Sequence, residues 1–178
     1  VKCVEMDIFP DDRTKILLLV DSWCSNKDHA LSASEVPDGK VLQKELVPEG
    51  CTGKIQPLDI HFFRHYKSFV RYITDTIIIA TQEHIWHRDR FLALQSFTLY
   101  QFSAPRFKNL IKYAFYKGGY VDDEPGMWVA PMDYCFGSLT TDGCAKCEAI
   151  AFVKCAHCEL SFCPSHCLFD ELHIDCLL

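Results

Sequence analysis

No apolar run in this 178-residue chain exceeds about five residues, far short of the roughly 20 that a bilayer-spanning helix needs. No signal-peptide pattern is visible at the start, and the chain begins with Val1 rather than Met. Excess basic charge is also missing. Lysine and arginine number 18 against 24 acids, a net charge of −6, so the surface as a whole is not a nucleic-acid glove. Local basic patches and acids gathered at a site remain compatible with that total. What is abundant is cysteine, with 11 residues, alongside 49% apolar content. That content suffices for one ordinary packed domain plus a small one.

The cysteines concentrate at the end of the chain. There the sequence reads Cys144-x2-Cys147, Cys155-x2-Cys158, Cys163-x2-His166 and His173-x2-Cys176. A two-residue gap lets one tight turn aim both side chains at one metal ion, and four ligands close a structural zinc site. Eight ligands therefore suggest two structural zinc ions. A segment of about 33 residues buries too little core to fold alone, and metal supplies the missing stability. The short separations favour interleaving, with Cys144, Cys147, Cys163 and His166 on one ion and Cys155, Cys158, His173 and Cys176 on the other. Sequential pairing is the alternative, as is Cys167 in place of His166. Disulfides require an oxidising compartment that nothing else indicates, and the odd cysteine count suits them poorly. His157 and Cys135 read as bystanders, and Cys3, Cys24 and Cys51 as ordinary thiols.

The first half has a different chemistry. Ile16-Leu17-Leu18-Leu19-Val20 is a continuous apolar run ending in Asp21, the pattern of a strand covered on both faces. Asp21 then lies at the carboxyl end of that strand, where α/β sheets place ligands. Residues 41–47 read as a second strand. A turn-rich loop, 48–55, leads to Gln56-Pro57-Leu58-Asp59 and a helix over about 58–74. Phe62, Phe63, Tyr66, Val70 and Ile73 form its apolar stripe, and Asp59 lies in the first turn above that stripe, pointing toward the domain. As a lone feature Asp59 is an ordinary first-turn acid. Together, a strand-end and a helix-start carboxylate can converge on one divalent ion of the magnesium or manganese type.

Residues 16–23, 47–59 and 62–67 together resemble the catalytic core of DDE transposases of the mariner/pogo superfamily, nearest its Tigger-like branch. The resemblance covers about residues 14–75. It implies an RNase H-like core, present in part, with Asp21 as the second catalytic acid and Asp59 as the third. It also implies Mg2+ or Mn2+, DNA as partner and substrate, and a nuclear location, and it leaves a homodimer open. The family's first acid lies many tens of residues before the second, so the chain reads as the carboxyl-terminal part of a longer protein or as a decayed copy. Asp-Ser-Trp follows here where much of the family has Asp-Asn. The tail's spacing is similar to the cysteine-rich carboxyl-terminal domain of piggyBac transposases, which implies binding to transposon-end DNA. It is similar also to RING and PHD cross-braces, although only seven residues separate Cys147 from Cys155, too few for a RING.

Between these two signals the chain reads as helical. Ser103 and Pro105 open a helix that Gly118-Gly119 ends, with Phe107, Leu110, Ile111, Ala114 and Phe115 on its buried face. Arg106, Lys108, Lys112 and Lys117 lie mostly off that face. Arg64, Lys67 and Arg71 form a solvated or phosphate-contacting side of the earlier helix, and His61 and His65 are candidate ligands on it. Trp23, Trp86 and Trp128 are assigned to packing. Residues 119–143 read as a linker. The expected division is a partial transposase core with its helices over 1–135 and a zinc-binding domain over 136–178, an α/β protein with a small cross-brace appended. Two functions follow: DNA strand cleavage and transfer by two-metal phosphoryl transfer, or a non-catalytic zinc module that binds nucleic acid or protein.

Overall fold

The computed structural model describes residues 15–23, 36, 39–81, 85, 87–137 and 143–176. The chain divides into two compact units, Val1–Ile60 and His61–Leu178. Cys3, Cys24 and Trp86 lie outside the described residues.

In the first unit, strands β1 (Lys15–Val20) and β2 (Val41–Leu46) pair in parallel, with Lys15 opposite Val41 and Val20 opposite Leu46. The Val47 amide continues the ladder to the Val20 carbonyl at 2.8 Å, and Val47 is buried. β2 alternates exposed and half-buried side chains, the period-2 signature of a strand with one covered face. β1 departs from expectation. Leu17 is 54% exposed and Leu18 is 37% exposed, so the run is not sheathed on both faces. Among the described residues β1 pairs with β2 alone, and a two-stranded ribbon has no inner strand to bury. A turn of helix, α1 (Thr52–Ile55), and a π-helical turn at Leu58–Phe62 follow.

The second unit is helical with a cysteine-rich end. Its helices are α2 (Phe63–Thr81), α3 (Arg88–Phe102), α4 (Lys108–Lys117) and α5 (Pro131–Phe136). On α2 the fully buried positions are Phe69, Ile73 and Ile77, while Phe62, Tyr66 and Val70 pack half-buried beside them. The stripe is therefore centred on Phe69, one position off the expected line. Around it Phe97, Phe102, Phe107 and Leu110 complete a core that runs without a break into Val153, Cys155, Phe162 and Cys163 of the tail.

Two local expectations are corrected. Ser103 does not open α4. Its hydroxyl donates to the Tyr100 carbonyl at 2.7 Å, closing α3, while a 3-10 turn at Pro105–Phe107 leads into α4. On α4 only Leu110 and Ala114 are buried, while Ile111 and Phe115 are partly exposed beside Val121 and Pro125. Nor are residues 119–143 merely a linker. α5 begins at Pro131, whose fixed φ suits the first helical position, and buries Cys135 against the core, where α5 packs on the short strand Val153–Lys154.

Burial ranks the α2 positions. Phe69→Ala should cost about 3–5 kcal/mol, whereas Ile79→Ala, at a side chain 82% exposed, should stay within about 0.5 kcal/mol. Urea denaturation of the zinc-loaded chain measures both, and a reversed ranking would contradict this core.

Candidate metal centres

The tail is built on a very short hairpin. Strands β3 (Val153–Lys154) and β4 (Ser161–Phe162) pair antiparallel, Val153 with Phe162 and Lys154 with Ser161. The Cys155–Cys158 turn is the tip of this hairpin. The Cys155 amide donates to the Leu160 carbonyl at 2.8 Å, and Glu159 closes the turn at φ 65°. Cys163 follows β4 immediately, so it emerges at the hairpin's opposite end. The Cys144–Cys147 turn is held at that end, with the Ala145 amide on the Ser161 carbonyl at 2.8 Å. Pro164 then starts a π-helical turn, Ser165–Phe169, that carries His166, and the chain returns with the His173 amide on the Cys167 carbonyl at 3.2 Å.

The result is two sets of four side chains. Cys144, Cys147, Cys163 and His166 have their ligand atoms within 4.8 Å of one another, and so do Cys155, Cys158, His173 and Cys176. The grouping is interleaved, first pair with third and second with fourth. Antiparallel pairing explains it: successive turns fall at alternate ends of the hairpin, and each end collects every other pair. Among the described residues these are the clusters of three or more metal-ligating side chains.

The spacing within each set suits zinc. A tetrahedral ion with Zn–S near 2.3 Å and Zn–N near 2.0–2.1 Å puts its ligands about 3.8 Å apart for two sulfurs and about 3.5 Å apart for sulfur and nitrogen. In the first set Cys147 Sγ lies 3.8 Å from Cys163 Sγ, and His166 Nδ1 lies 3.5 Å from Cys144 Sγ and 3.4 Å from Cys163 Sγ. In the second, Cys155 Sγ lies 3.6 Å from Cys176 Sγ, and Cys158 Sγ 3.5 Å from His173 Nε2. His173 Nε2 is closer to Cys176, at 2.9 Å. Three sulfurs and one imidazole in each set make a donor combination that could hold zinc.

Electrostatics prepare one thiolate in each set. Burial pushes the Cys144 thiol up, but the amides of Cys163, Lys146 and Cys147 and the His166 ring donate toward it and together bring it down to about 6. Cys155 follows the same pattern. Burial raises it, and His173, the Cys158 and His157 amides and Gln101 lower it to about 6. Burial, then the Cys155 sulfur, pushes Cys176 up to about 12. A divalent cation relieves such a cluster, since it favours the thiolate form at every sulfur it touches.

Cys167 does not join either set. It is fully buried, its thiol faces the Pro164 carbonyl at 3.6 Å, and burial followed by the neighbouring Cys163 and Cys144 sulfurs holds it well above the usual thiol range. His157 stacks on Tyr100 with ring centroids 4.0 Å apart. Cys135 is a core thiol and Cys51 a half-buried one. The remaining histidine candidates, His61 and His65, pack edge-on against each other and against Trp128, with centroids 4.8–5.3 Å apart. Burial first, then nearby cations, lowers the pKa of both. Trp128 thus packs as expected, whereas Trp23 is 68% exposed.

The two acids belong to the first unit. Asp21 directly follows β1, half-exposed, and its Oδ1 accepts the Trp23 amide at 3.0 Å. Asp59 sits in the first turn of Leu58–Phe62 and is exposed, a correction to the core-facing side chain that helical phase suggests. Neither belongs to a cluster of three or more ligating groups among the described residues.

Gln101, which the sequence does not single out, proves central to the second set. It is buried at 0% exposure, with Nε2 3.6 Å from Cys155 Sγ and Oε1 accepting the Ala156 amide at 2.6 Å. Its partners lie more than fifty residues away, so no local pattern could reveal it.

The Tc5 transposase C-terminal domain family matches residues 115–176. That span contains all eight clustered side chains, and the match supports a transposase-derived protein. No curated protein and no solved structure matches the chain.

Elemental analysis of the purified chain should find two zinc ions per molecule. Cys147→Ser and Cys158→Ser should each retain one, and Cys167→Ala should retain two. A drop to one in Cys167→Ala would transfer a ligand role from His166 to Cys167.

Proposed function

We propose that this transposase-derived chain acts on DNA, with the His61–Leu178 unit serving as a zinc-stabilised DNA-binding module. The observation that carries the reading is the coincidence of two closed Cys/His sets with the span matched by a transposase family. Bound zinc would hold the ends of the β3–β4 hairpin together, as structural sites of this kind do. The chain's own residues then do the recognition. Lys108 and Lys112 are exposed on α4, and on a chain of net charge −6 contact with phosphates has to come from such a local patch. A chain with this task works in the nucleus.

The strand-cleavage reading belongs to the first unit. In its favour, Asp21 follows a parallel strand and Asp59 opens a helix, as the second and third acids of an RNase H-like DDE core would. Their oxygens suit Mg2+ or Mn2+, which supplies activation of the attacking oxygen and stabilisation of the leaving one. Two acids do not by themselves complete such a site.

Fluorescence anisotropy on short DNA duplexes tests the binding reading. The zinc-loaded chain should bind at 50 mM salt and weaken steeply by 200 mM. Chelation should abolish binding. Lys108→Glu with Lys112→Glu should weaken it about ten-fold or more, and Asp21→Asn and Asp59→Asn should leave it unchanged. Absence of binding by the zinc-loaded chain at low salt would overturn the proposal. Mg2+-dependent nicking that either Asp→Asn variant abolishes would establish the catalytic reading beside it.

A further inference from the structure

The two ligand sets are supported differently. The first takes its polar contacts from the tail itself, although the turn that carries His166 also packs on the start of α3, where Arg90 lies 5.2 Å from the Phe169 ring. Its Lys146 amide points at Cys144 Sγ at 3.5 Å, and Lys146 pairs with Glu171. The second is seated on the end of α3. There Tyr100 Oη accepts the Cys176 amide at 3.0 Å, and the Tyr100 carbonyl lies 2.7 Å from His157 Nε2. Just beyond α3, Arg106 Nε donates to the Ala156 carbonyl at 2.5 Å and its guanidinium reaches Glu159 at 2.6 Å. Gln101 lies at the centre, with both ends of its amide engaged on the Cys155 turn.

We propose that Gln101 is the positioning residue of the second metal centre, so that metal there, and not at the first centre, couples the tail to the α3 end of the helical core. This rests on the zinc reading of the two sets. Its physical basis is the geometry of one side chain. The Oε1 end fixes the turn by accepting from Ala156 N–H, and the Nε2 end directs a donor at the Cys155 sulfur. A donor aimed at a metal-bound thiolate withdraws charge from it, making the sulfur a weaker electron donor to the metal and a poorer nucleophile. Removing both interactions leaves a buried amide N–H without its acceptor, a loss felt at the turn that holds two of the four ligands. Outer partners of this kind typically change metal affinity by about 10- to 100-fold.

The test uses the full, zinc-loaded chain and a chromogenic chelator that reads each ion as it leaves. Gln101→Met, similar in length but lacking both polar ends, should release one of the two ions roughly ten-fold faster and leave the other at the wild-type rate. Alkylation mapped by mass spectrometry should find the early label on Cys155, Cys158 and Cys176. Gln101→Glu keeps an acceptor for Ala156 but replaces the donor with a carboxylate, so it should behave like Gln101→Met. With Co2+ in place of zinc, the thiolate-to-cobalt charge-transfer band of the second centre should move to lower energy in both variants, a shift that a packing role alone does not produce. Should neither variant fold, hydrogen exchange on wild type with one ion withdrawn carries the test. Tyr100–Phe102 amides should lose protection when Cys155, Cys158 and Cys176 take the label, and keep it when Cys144, Cys147 and Cys163 do.

Equal acceleration of both ions, wild-type release from Gln101→Glu, or protected α3 amides beside a labelled second set would each overturn the proposal while leaving two zinc ions per chain intact. A wild-type chain without zinc would instead break the reading on which it rests.

Discussion

Two residue pairs of β-ladder hold the tail together, Val153 with Phe162 and Lys154 with Ser161. So short a hairpin is marginal in water, yet the sequence places a Cys-x2-Cys turn at its tip, the cysteine of another ligand pair directly after its second strand and a further turn at its base. Because antiparallel strands send successive turns to opposite ends, the hairpin sorts four Cys/His pairs into two sets of four that could each hold one zinc ion. Everything else in the tail serves those two ends. Phe162 is buried and packs against the His173 ring at 4.2 Å, and the π-helical turn of Ser165–Phe169 brings His166 to the first set. The hydrophobic core of the helices continues into the same strands, so the hairpin is also the seam between tail and helices.

Contacts across that seam join residues far apart in the chain, which no local sequence pattern marks. The x2 pairs were legible because a tight turn is a local object, and their interleaving followed from the short distances between them. The helical stripe of α2 was legible to within one position, since 3.6-residue periodicity marks a face but not its centre. Gln101 was illegible. A glutamine in the last turn of a helix carries no local mark of burial, and its burial follows from a turn more than fifty residues later. Ser103 misled for a related reason. A serine shortly before a proline looks like a helix start, but the hydroxyl donates to the Tyr100 carbonyl at the end of the preceding helix. The linker reading of 119–143 missed α5 because six residues with one buried cysteine leave almost no periodic signal.

The first unit shows the opposite failure. Its apolar run promised a sheathed strand, and the strand exists, paired in parallel with its first expected neighbour. Burial did not follow, since a strand is covered only when neighbours and helices supply the cover. Leu17 and Leu18 are thus exposed on a ribbon whose carboxyl end carries Asp21. The strand-end position of Asp21 and the helix-start position of Asp59 were legible. Which way Asp59 points was not, because a π-helical turn at Leu58–Phe62 departs from the 100° per residue on which the phase was counted.

The two sets are expected to bind one zinc each, through three sulfurs and one imidazole nitrogen. X-ray absorption at the zinc edge of the purified chain measures this directly. The expected result is an average of three sulfurs near 2.3 Å and one nitrogen near 2.0 Å per zinc, with no light ligand beyond the imidazole. An average above three sulfurs would put Cys167 at the first site in place of His166. A shell rich in oxygen would contradict the two closed centres altogether.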